Sequence, residues 1–269
     1  MSRPSREPEN PEHMTNFRTL LAGVAVALIF SSTALAQAPT PPAYDKDQDL
    51  PVDAPILKVP PAPPKPPTPP PTTDETPPTI YGKDMKSESG SIIYVLDVSY
   101  SMSWAAGDYT GLDGKSQSGA RIDHARVQLI RSIRALPKNF KFNVIAFDCM
   151  VYVWCQDLQP ADDTHKTQAE GWVNNLQPDS STGTGPAVVQ ALLCRANKLI
   201  VLLTDGAPNC GAGDQTGDES CREAHLSQIR WANQQGATIN VFGIGASGVF
   251  RDFCVSLASQ NGGSYTDVW

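Results

Sequence analysis

Two short apolar segments, each followed at once by polar oxygen-bearing residues, constrain the fold of this chain most strongly. Residues 92–96 form an uninterrupted run of β-branched, aromatic and aliphatic side chains, and Asp97, Ser99 and Ser101 follow it. Residues 199–203 form a second run of this kind. Short apolar runs bounded by small polar residues are typical of buried strands that end in loops. Since open α/β sheets bind ligands at the carboxyl ends of their strands, both loops are candidate site loops.

The polar residues after the two runs and those between them form one pattern. The second run ends in Thr204-Asp205-Gly206, and a small polar segment, residues 181–187, lies between the runs. Asp-x-Ser-x-Ser, an intervening loop Thr and a later Thr-Asp-Gly together resemble the von Willebrand factor type A domain. In that family these positions form the metal-ion-dependent adhesion site. The resemblance implies the ligands Asp97, Ser99, Ser101, Thr182 and Asp205.

The loop that carries Thr182 departs from the usual pattern of this family. The pattern Gly-Gly-Thr-x-x-Gly-x-Ala aligns best with residues 180–187, which favours Thr182 as the ligand and leaves Thr184 as an alternative. Ser180 and Ser181 stand where two glycines are usual, and Tyr100 occupies a position that is often glycine. None of these changes removes a donor oxygen, although Tyr100 is expected to narrow the access to an ion.

The expected ligand set indicates Mg²⁺, with Mn²⁺ or Ca²⁺ as alternatives. Mg²⁺ prefers oxygen ligands, uses few protein carboxylates and keeps an open or water-filled position. In the family that the chain resembles, this position takes an Asp or Glu carboxylate from a protein partner. The implied function is therefore metal-dependent protein binding or adhesion, without enzymatic activity.

Two other functions use the same residues. A metal-dependent phosphotransferase of the haloacid dehalogenase kind places an Asp after its first strand, but it needs a second Asp two residues later, where this chain has Ser99. A Gly-x-Ser-x-Gly nucleophile elbow is also lacking in the sequence. The other alternative is a purely structural ion that ties three loops together.

The first 36 residues have the features of a secretory signal peptide. Arg18 precedes an apolar core at residues 20–30, and Ala34-Leu35-Ala36 supplies small residues for cleavage between Ala36 and Gln37. Met14 is the better start, because residues 1–13 add three glutamates to a region that should be positive. An uncleaved membrane anchor is the alternative, but the core falls short of the roughly 20 apolar residues that span a bilayer. We expect a secreted or periplasmic protein with no membrane span after cleavage.

A proline-rich linker is predicted over residues 37–87. The stretch from Pro39 to Pro78 holds 16 prolines in 40 residues and few bulky apolar side chains, so it cannot bury a core and favours polyproline II. We interpret it as a disordered stalk; a Pro-x-x-Pro ligand within residues 61–71 is the alternative. The type A-like domain is expected over residues 88–269. The formal charge of −7 and the lack of a basic patch argue against nucleic-acid binding.

Strands and helices alternate through the expected domain. The predicted elements are strands 91–97, 140–147, 150–154, 198–204, 237–243 and 264–268 and helices 121–136, 164–176, 185–196, 223–235 and 249–260. This alternation predicts an α/β fold with a doubly wound, mostly parallel sheet and helices on both faces. The polar stretch 103–119 begins next to Ser101 in the sequence and is expected to shape the rim of the site. His124 and His165 are expected to be solvated helix residues.

Six cysteines in an exported chain predict disulfides, because export places them in an oxidising compartment. Cys210 and Cys221 bracket a Gly-rich loop after Asp205 and are the expected pair. The sequence leaves the pairing of the other four open. A zinc site from Cys210, Cys221 and His225 is an alternative without an evident fourth ligand.

The segment Gly243-Ile244-Gly245-Ala246-Ser247-Gly248 matches Gly-x-Gly-x-x-Gly. Dinucleotide-binding folds use this motif in their first βαβ unit and need further strands after it. Only about twenty residues follow it here, so we interpret it as a strand end and a turn into the last helix.

Overall fold

A computed structural model of the chain describes residues 77–269. The predicted signal peptide, its cleavage position, the anchor alternative and the linker up to residue 76 lie outside the described residues. Within residues 77–269, no helix combines the length and the apolar character that a membrane span requires.

The described part of the chain contains strands and helices in the alternating order expected for an α/β fold. The strands are β1 Thr79–Ile80, β2 Lys83–Asp84, β3 Ser91–Asp97, β4 Ala105–Thr110, β5 Ser116–Ala120, β6 Lys141–Phe147, β7 Val151–Val153, β8 Gln159–Pro160, β9 Leu199–Thr204, β10 Thr238–Ile244 and β11 Tyr265–Val268. The helices are α1 Arg121–Ala135, α2 Asp163–Asn175, α3 Thr184–Leu192, α4 Glu219–Ala232 and α5 Gly248–Gln260.

The central sheet has the order β11-β10-β9-β3-β6-β7, and β8 also pairs with β6. All pairs from β11 to β6 are parallel, whereas β7 and β8 run antiparallel to β6. The predicted doubly wound, mostly parallel sheet is therefore confirmed. The strands β3 and β9, which carry the two polar motifs, are direct neighbours, with Leu96 opposite Leu203.

Helices cover both faces of this sheet because the buried strands are apolar on both sides. Along β3, Tyr94 and Leu96 contribute to one apolar layer with α1 and α2, while Ile93 and Val95 contribute to the other with α3, α4 and α5. Near-continuous apolar strands are what a parallel sheet with two covered faces requires. Inside the first layer, the Tyr94 hydroxyl shares a hydrogen bond of 2.8 Å with Ser132 of α1.

The largest differences in helix boundaries are at α3, which ends at Leu192 and not at 196, and at the start of α4. Helix α4 begins at Glu219, four residues before its expected start, because the Asp218 carboxylate accepts a hydrogen bond from the Cys221 amide and caps the helix. The Gly-x-Gly-x-x-Gly segment joins β10 to α5, as the sequence predicted.

The folded part begins before residue 88, where the sequence placed the domain boundary. Strands β1 and β2 form a short antiparallel hairpin, and Ile80 and Met85 are buried in the layer that contains α1. The Tyr81 amide donates to the Gln128 side chain of α1, which fixes the hairpin to the domain.

The polar stretch after Ser101 forms a β-hairpin. Strands β4 and β5 pair antiparallel and lie against α1, where the His124 ring packs at a tilt against Tyr109, with 4.6 Å between the ring centroids. His124 also packs against Trp269 at 4.4 Å and is buried. The expectation that His124 is solvated was therefore wrong, because the hairpin covers this part of the helix.

Replacing Ile80 by Ala should lower the free energy of unfolding by about 2–5 kcal/mol, because it leaves a cavity in a packed apolar layer. Urea unfolding of the full chain measures this loss. Lys83→Ala, an exposed change in the same hairpin, is the matched control and should have little effect. Equal stabilities of the two variants would mean that residues before 88 are not part of the folded unit.

Candidate functional site

The two polar motifs meet at the carboxyl edge of the sheet. Because β3 and β9 are adjacent and parallel, the loop from Asp97 to Ser101 lies beside the loop that starts at Asp205. Ser101 donates a hydrogen bond of 2.9 Å to the Asp205 carboxylate, and the Ser99 and Ser101 hydroxyls are 3.3 Å apart. Four of the five predicted ligands therefore lie in one hydrogen-bonded group.

Asp97 is fully buried beneath this group. One carboxylate oxygen accepts from the Ser99 amide at 2.8 Å, and the other accepts from the Thr204 hydroxyl at 2.5 Å. Burial and the neighbouring Asp205 charge raise the pKa of Asp97 to about 7, against the smaller opposing effect of its hydrogen bonds. An ionised Asp97 thus costs free energy unless a cation compensates its charge.

Asp205 forms an ion pair with Arg121. The guanidinium Nη1 of Arg121 lies 2.6 Å from Asp205 Oδ2. Since Ser101 donates to the other oxygen, both oxygens of Asp205 have a partner. The ring of Trp104 lies 5.1 Å from the Arg121 guanidinium, within cation–π distance.

Thr182 lies in a segment that is held from two sides. Its carbonyl accepts from the amides of Asn209 and Cys210, and its own amide donates to the Asn209 side chain at 2.7 Å. On the other side, the Gly183 amide donates to the Asp148 carbonyl at 2.8 Å. A side chain at 183 would place its Cβ 2.9 Å from that carbonyl oxygen, so this position requires glycine.

A cavity of about 500 Å³ opens onto these residues. Its wall includes Ser99, Ser101, Thr182 and Asp205, while Asp97 lies buried behind Ser99. Thr184, the alternative ligand, is the first residue of α3, is fully buried and is not among the residues that line the cavity.

Two of the three unusual residues of the sequence, Ser180 and Tyr100, have distinct structural effects. Ser180 adopts φ = +60°, a left-handed conformation that favours glycine, which explains the glycine usual there in the family pattern. Its carbonyl accepts from the Tyr100 amide at 3.0 Å. The Tyr100 side chain is 63% exposed and borders the cavity.

The expected Cys210–Cys221 disulfide was wrong, since Cys210 is bonded to Cys149. The Cys149 and Cys210 Cα atoms are 5.7 Å apart because both loops converge on the Thr182–Gly183 segment. Cys221 is instead buried in the first turn of α4, with its sulfur near the Pro208 and Ala212 carbonyls. Closeness in sequence did not predict the partner of Cys210, because the loop after Asp205 first approaches the turn between β6 and β7, where Cys149 lies.

The residues of the zinc alternative are engaged in other interactions. Cys210 is in the disulfide, and His225 Nδ1 accepts a hydrogen bond of 2.8 Å from the Gly185 amide. Burial lowers the pKa of His225 to about 4, so its imidazole is neutral at physiological pH. Within residues 77–269, no cluster of three or more His, Cys, Asp or Glu side chains is arranged to hold a metal.

Comparison with known proteins agrees with this fold. The model of the von Willebrand factor type A domain matches residues 113–267, which is more than half of the chain. The chain belongs to this family.

Two curated relatives and one solved structure illustrate the likeness. The chain is 28% identical to von Willebrand factor A domain-containing protein 3B from Homo sapiens, over 38% of this chain and 8% of that protein. It is 27% identical to inter alpha-trypsin inhibitor heavy chain 4 from Mus musculus, over 50% and 14% of the two chains. The chain thus spans a small part of the length of these relatives. The PilB minor pilin from Streptococcus sanguinis shares the fold, with a TM-score of 0.51 and 20% identity over 66% of this chain and 56% of that chain.

Three residues of the site were missed in the sequence. Thr204 was noted only as part of Thr-Asp-Gly, yet its hydroxyl binds Asp97. Arg121 was interpreted only as a helix start, and Trp104 as part of a rim loop. The sequence held a signal for Arg121 and Trp104, because the long stretch that begins beside Ser101 must return to the site edge to start α1. In the structure, the Arg121 amide donates to the Trp104 carbonyl at 3.0 Å.

Asp97→Asn should change the pH dependence of stability in the ion-free chain. A raised pKa means that the Asp97 contribution to the free energy of unfolding is full below pH about 4 and is lost as pH rises through about 7. The neutral variant should therefore gain roughly a few kcal/mol over the wild type at pH 8 and about a third of that gain at pH 5, because the Asp97 contribution is lost progressively between the two pKa values. Urea unfolding in chelator measures both, with exposed Asp252→Asn as the control. A gain that is the same at both pH values would contradict the raised pKa.

Replacing both Cys149 and Cys210 by Ser should destabilise the domain by about 4 kcal/mol in the chain-entropy model, because the crosslink spans 61 residues. The amides of Thr182 and Gly183 should exchange hydrogen faster, since the disulfide fixes the loops that they bond to. Cys155→Ser, a change at a free and half-buried cysteine, is the control. Unchanged exchange at Gly183 would show that the crosslink does not hold this segment.

Proposed function

We propose that this domain binds a divalent cation, with Mg²⁺ as the preferred ion, and through it captures an Asp or Glu carboxylate of a protein partner. Asp97, Ser99, Ser101, Thr182 and Asp205 are the proposed ligands. The observation that carries this proposal is the hydrogen-bonded group of Asp97, Ser99, Ser101 and Asp205 at one cavity, whose wall includes the last three while Asp97 lies buried behind Ser99.

The donor set fits a hard cation. Two carboxylates match the charge of a divalent ion, and neutral hydroxyls add oxygen donors without excess negative charge. The buried Asp97, whose ionised form is unfavourable without a cation, is a residue that an ion would compensate. When bound, such an ion supplies Lewis acidity toward an incoming carboxylate, while this chain's residues hold it at the sheet edge.

Export of the domain belongs to the same proposal. The apolar segment 20–30 and Ala34-Leu35-Ala36 support a signal peptide, and the Cys149–Cys210 disulfide is consistent with an oxidising compartment. Partner capture would then take place outside the cytoplasm.

Asp97→Ala should abolish Mg²⁺ binding, because it removes one of only two carboxylates. Isothermal titration calorimetry of the full chain measures binding directly, and the melting temperature of the wild type should rise with Mg²⁺ but not that of the variant. The matched control is Asp252→Ala, which removes an exposed carboxylate from α5.

Partner capture is tested by a pull-down from envelope and culture fractions, run in parallel with Mg²⁺ and with EDTA. The proposal expects capture that is lost in EDTA and in Asp97→Ala. Capture that persists unchanged in EDTA would refute it. Turnover in a phosphatase and esterase screen that disappears in Asp97→Ala would favour the phosphotransferase alternative instead.

A further inference from the structure

Arg121 is placed in the site by the hairpin β4–β5. Its backbone amide donates to the Trp104 carbonyl, which closes the base of the hairpin at the start of α1. Its guanidinium lies over the Trp104 ring and against Asp205. The side chain is only 18% exposed, so it belongs to the wall of the cavity and not to the open surface.

The position of the Arg121 guanidinium is unfavourable for a site that only holds a cation. Arg121 uses one oxygen of Asp205 and adds a positive charge next to the place where the ion would bind. The formal charges of Asp97, Asp205 and Arg121 sum to −1, and a divalent ion changes that sum to +1. The loaded site therefore has an excess of positive charge that an anionic group can neutralise.

The guanidinium retains donors for such a group. It has five N–H donors, and only the bond to Asp205 is found for it among residues 77–269. Arg presents its donors in a planar fork that matches the two oxygens of a carboxylate. A carboxylate placed between the ion and Arg121 would therefore be bound from two sides.

Three aromatic side chains line the same cavity as Arg121. Tyr100, Trp104 and Phe250 border the cavity and are 63%, 54% and 47% exposed. The cavity of about 500 Å³ is far larger than a carboxylate group and lies within the range of roughly 300–1,000 Å³ typical of ligand pockets. Exposed aromatic residues around a charged centre are typical of binding surfaces and their energetic anchors.

We propose that the partner segment is an acidic residue flanked by an aromatic or large apolar residue. Arg121 binds the partner carboxylate beside the ion, and Trp104, Tyr100 and Phe250 contact the flanking side chain. This inference rests on the proposed metal-dependent function. It adds a specificity-determining residue and the chemistry of the partner.

The first part of the test separates ion binding from anion binding. Arg121→Gln in the full chain should bind Mg²⁺ about threefold more tightly or better, because a like charge next to the ion is removed. The same variant should bind a carboxylate peptide in saturating Mg²⁺ about tenfold more weakly, because a charge-assisted contact is lost. Arg134→Gln is the matched control: it removes an ion-paired arginine from the same helix, about 20 Å away, and should change neither affinity.

The second part uses three immobilised peptides that differ only at a central pair of residues. These are Phe-Glu, Gly-Glu and Phe-Gln in one neutral Gly/Ser context, and binding of the full chain is measured by surface plasmon resonance with Mg²⁺ and with EDTA. Phe-Glu should bind in Mg²⁺ only, and Phe-Gln should not bind. Gly-Glu should bind about tenfold more weakly, since the apolar contact is missing.

Aromatic variants test the apolar contact without removing the charge. Phe250→Ala leaves Arg121, Trp104 and Tyr100 in place, so it should weaken Phe-Glu binding by part of the difference between Phe-Glu and Gly-Glu, while Gly-Glu binding and Mg²⁺ affinity stay constant. The control is Trp231→Ala. Trp231 is a 78% exposed aromatic residue of α4 that does not line this cavity.

The outcomes distinguish this inference from the proposed function. Failure of the wild type to bind Mg²⁺ would refute both. Three results with intact Mg²⁺ binding would overturn the partner chemistry and leave the metal site standing. These are equal affinity for Phe-Glu and Gly-Glu, no binding of either peptide, and unchanged peptide affinity in Arg121→Gln. Weaker Mg²⁺ binding in Arg121→Gln would also overturn it, because Arg121 would then support the ion site itself.

Discussion

The parallel pairing of β3 with β9 determines the organisation of the whole site. With Leu96 opposite Leu203, Asp97 ends β3 level with Thr204 and Asp205 follows directly after β9, so two buried carboxylates lie at the same edge of the sheet. Two carboxylates so close repel each other, and the surrounding residues compensate for that repulsion. The Ser99 amide and the Thr204 hydroxyl bind one carboxylate, and Ser101 and Arg121 bind the other.

The negative charges of Asp97 and Asp205 are compensated in part by buried neutral hydrogen-bond donors and in part by the partly exposed guanidinium of Arg121. Neutral hydrogen bonds lower the pKa of Asp97, but burial and Asp205 outweigh them. Arg121 neutralises Asp205 from the open side of the site, where solvent and ligands have access. The formal charges of these three side chains are therefore not balanced among themselves.

Sequence patterns predicted the sheet and the loops of the site well because both depend on local signals. An apolar run such as residues 92–96 identifies a strand from its own composition, and Asp97 and Ser99 follow directly from where that strand ends. Arg121 was not predicted as a site residue because its place depends on how the hairpin from residue 105 to residue 120 folds back. The Cys149–Cys210 pair was missed for the same reason: the two cysteines meet through tertiary contacts of the Thr182 segment.

The position of that disulfide has a mechanical consequence. Loops on both sides of Thr182–Gly183 hold this segment through backbone hydrogen bonds, and Cys149 and Cys210 join those same loops covalently. A tensile load applied at Thr182 would first strain these hydrogen bonds, which are individually weak. The covalent link keeps the two flanking loops from separating, so the bonds share the load instead of breaking one after another.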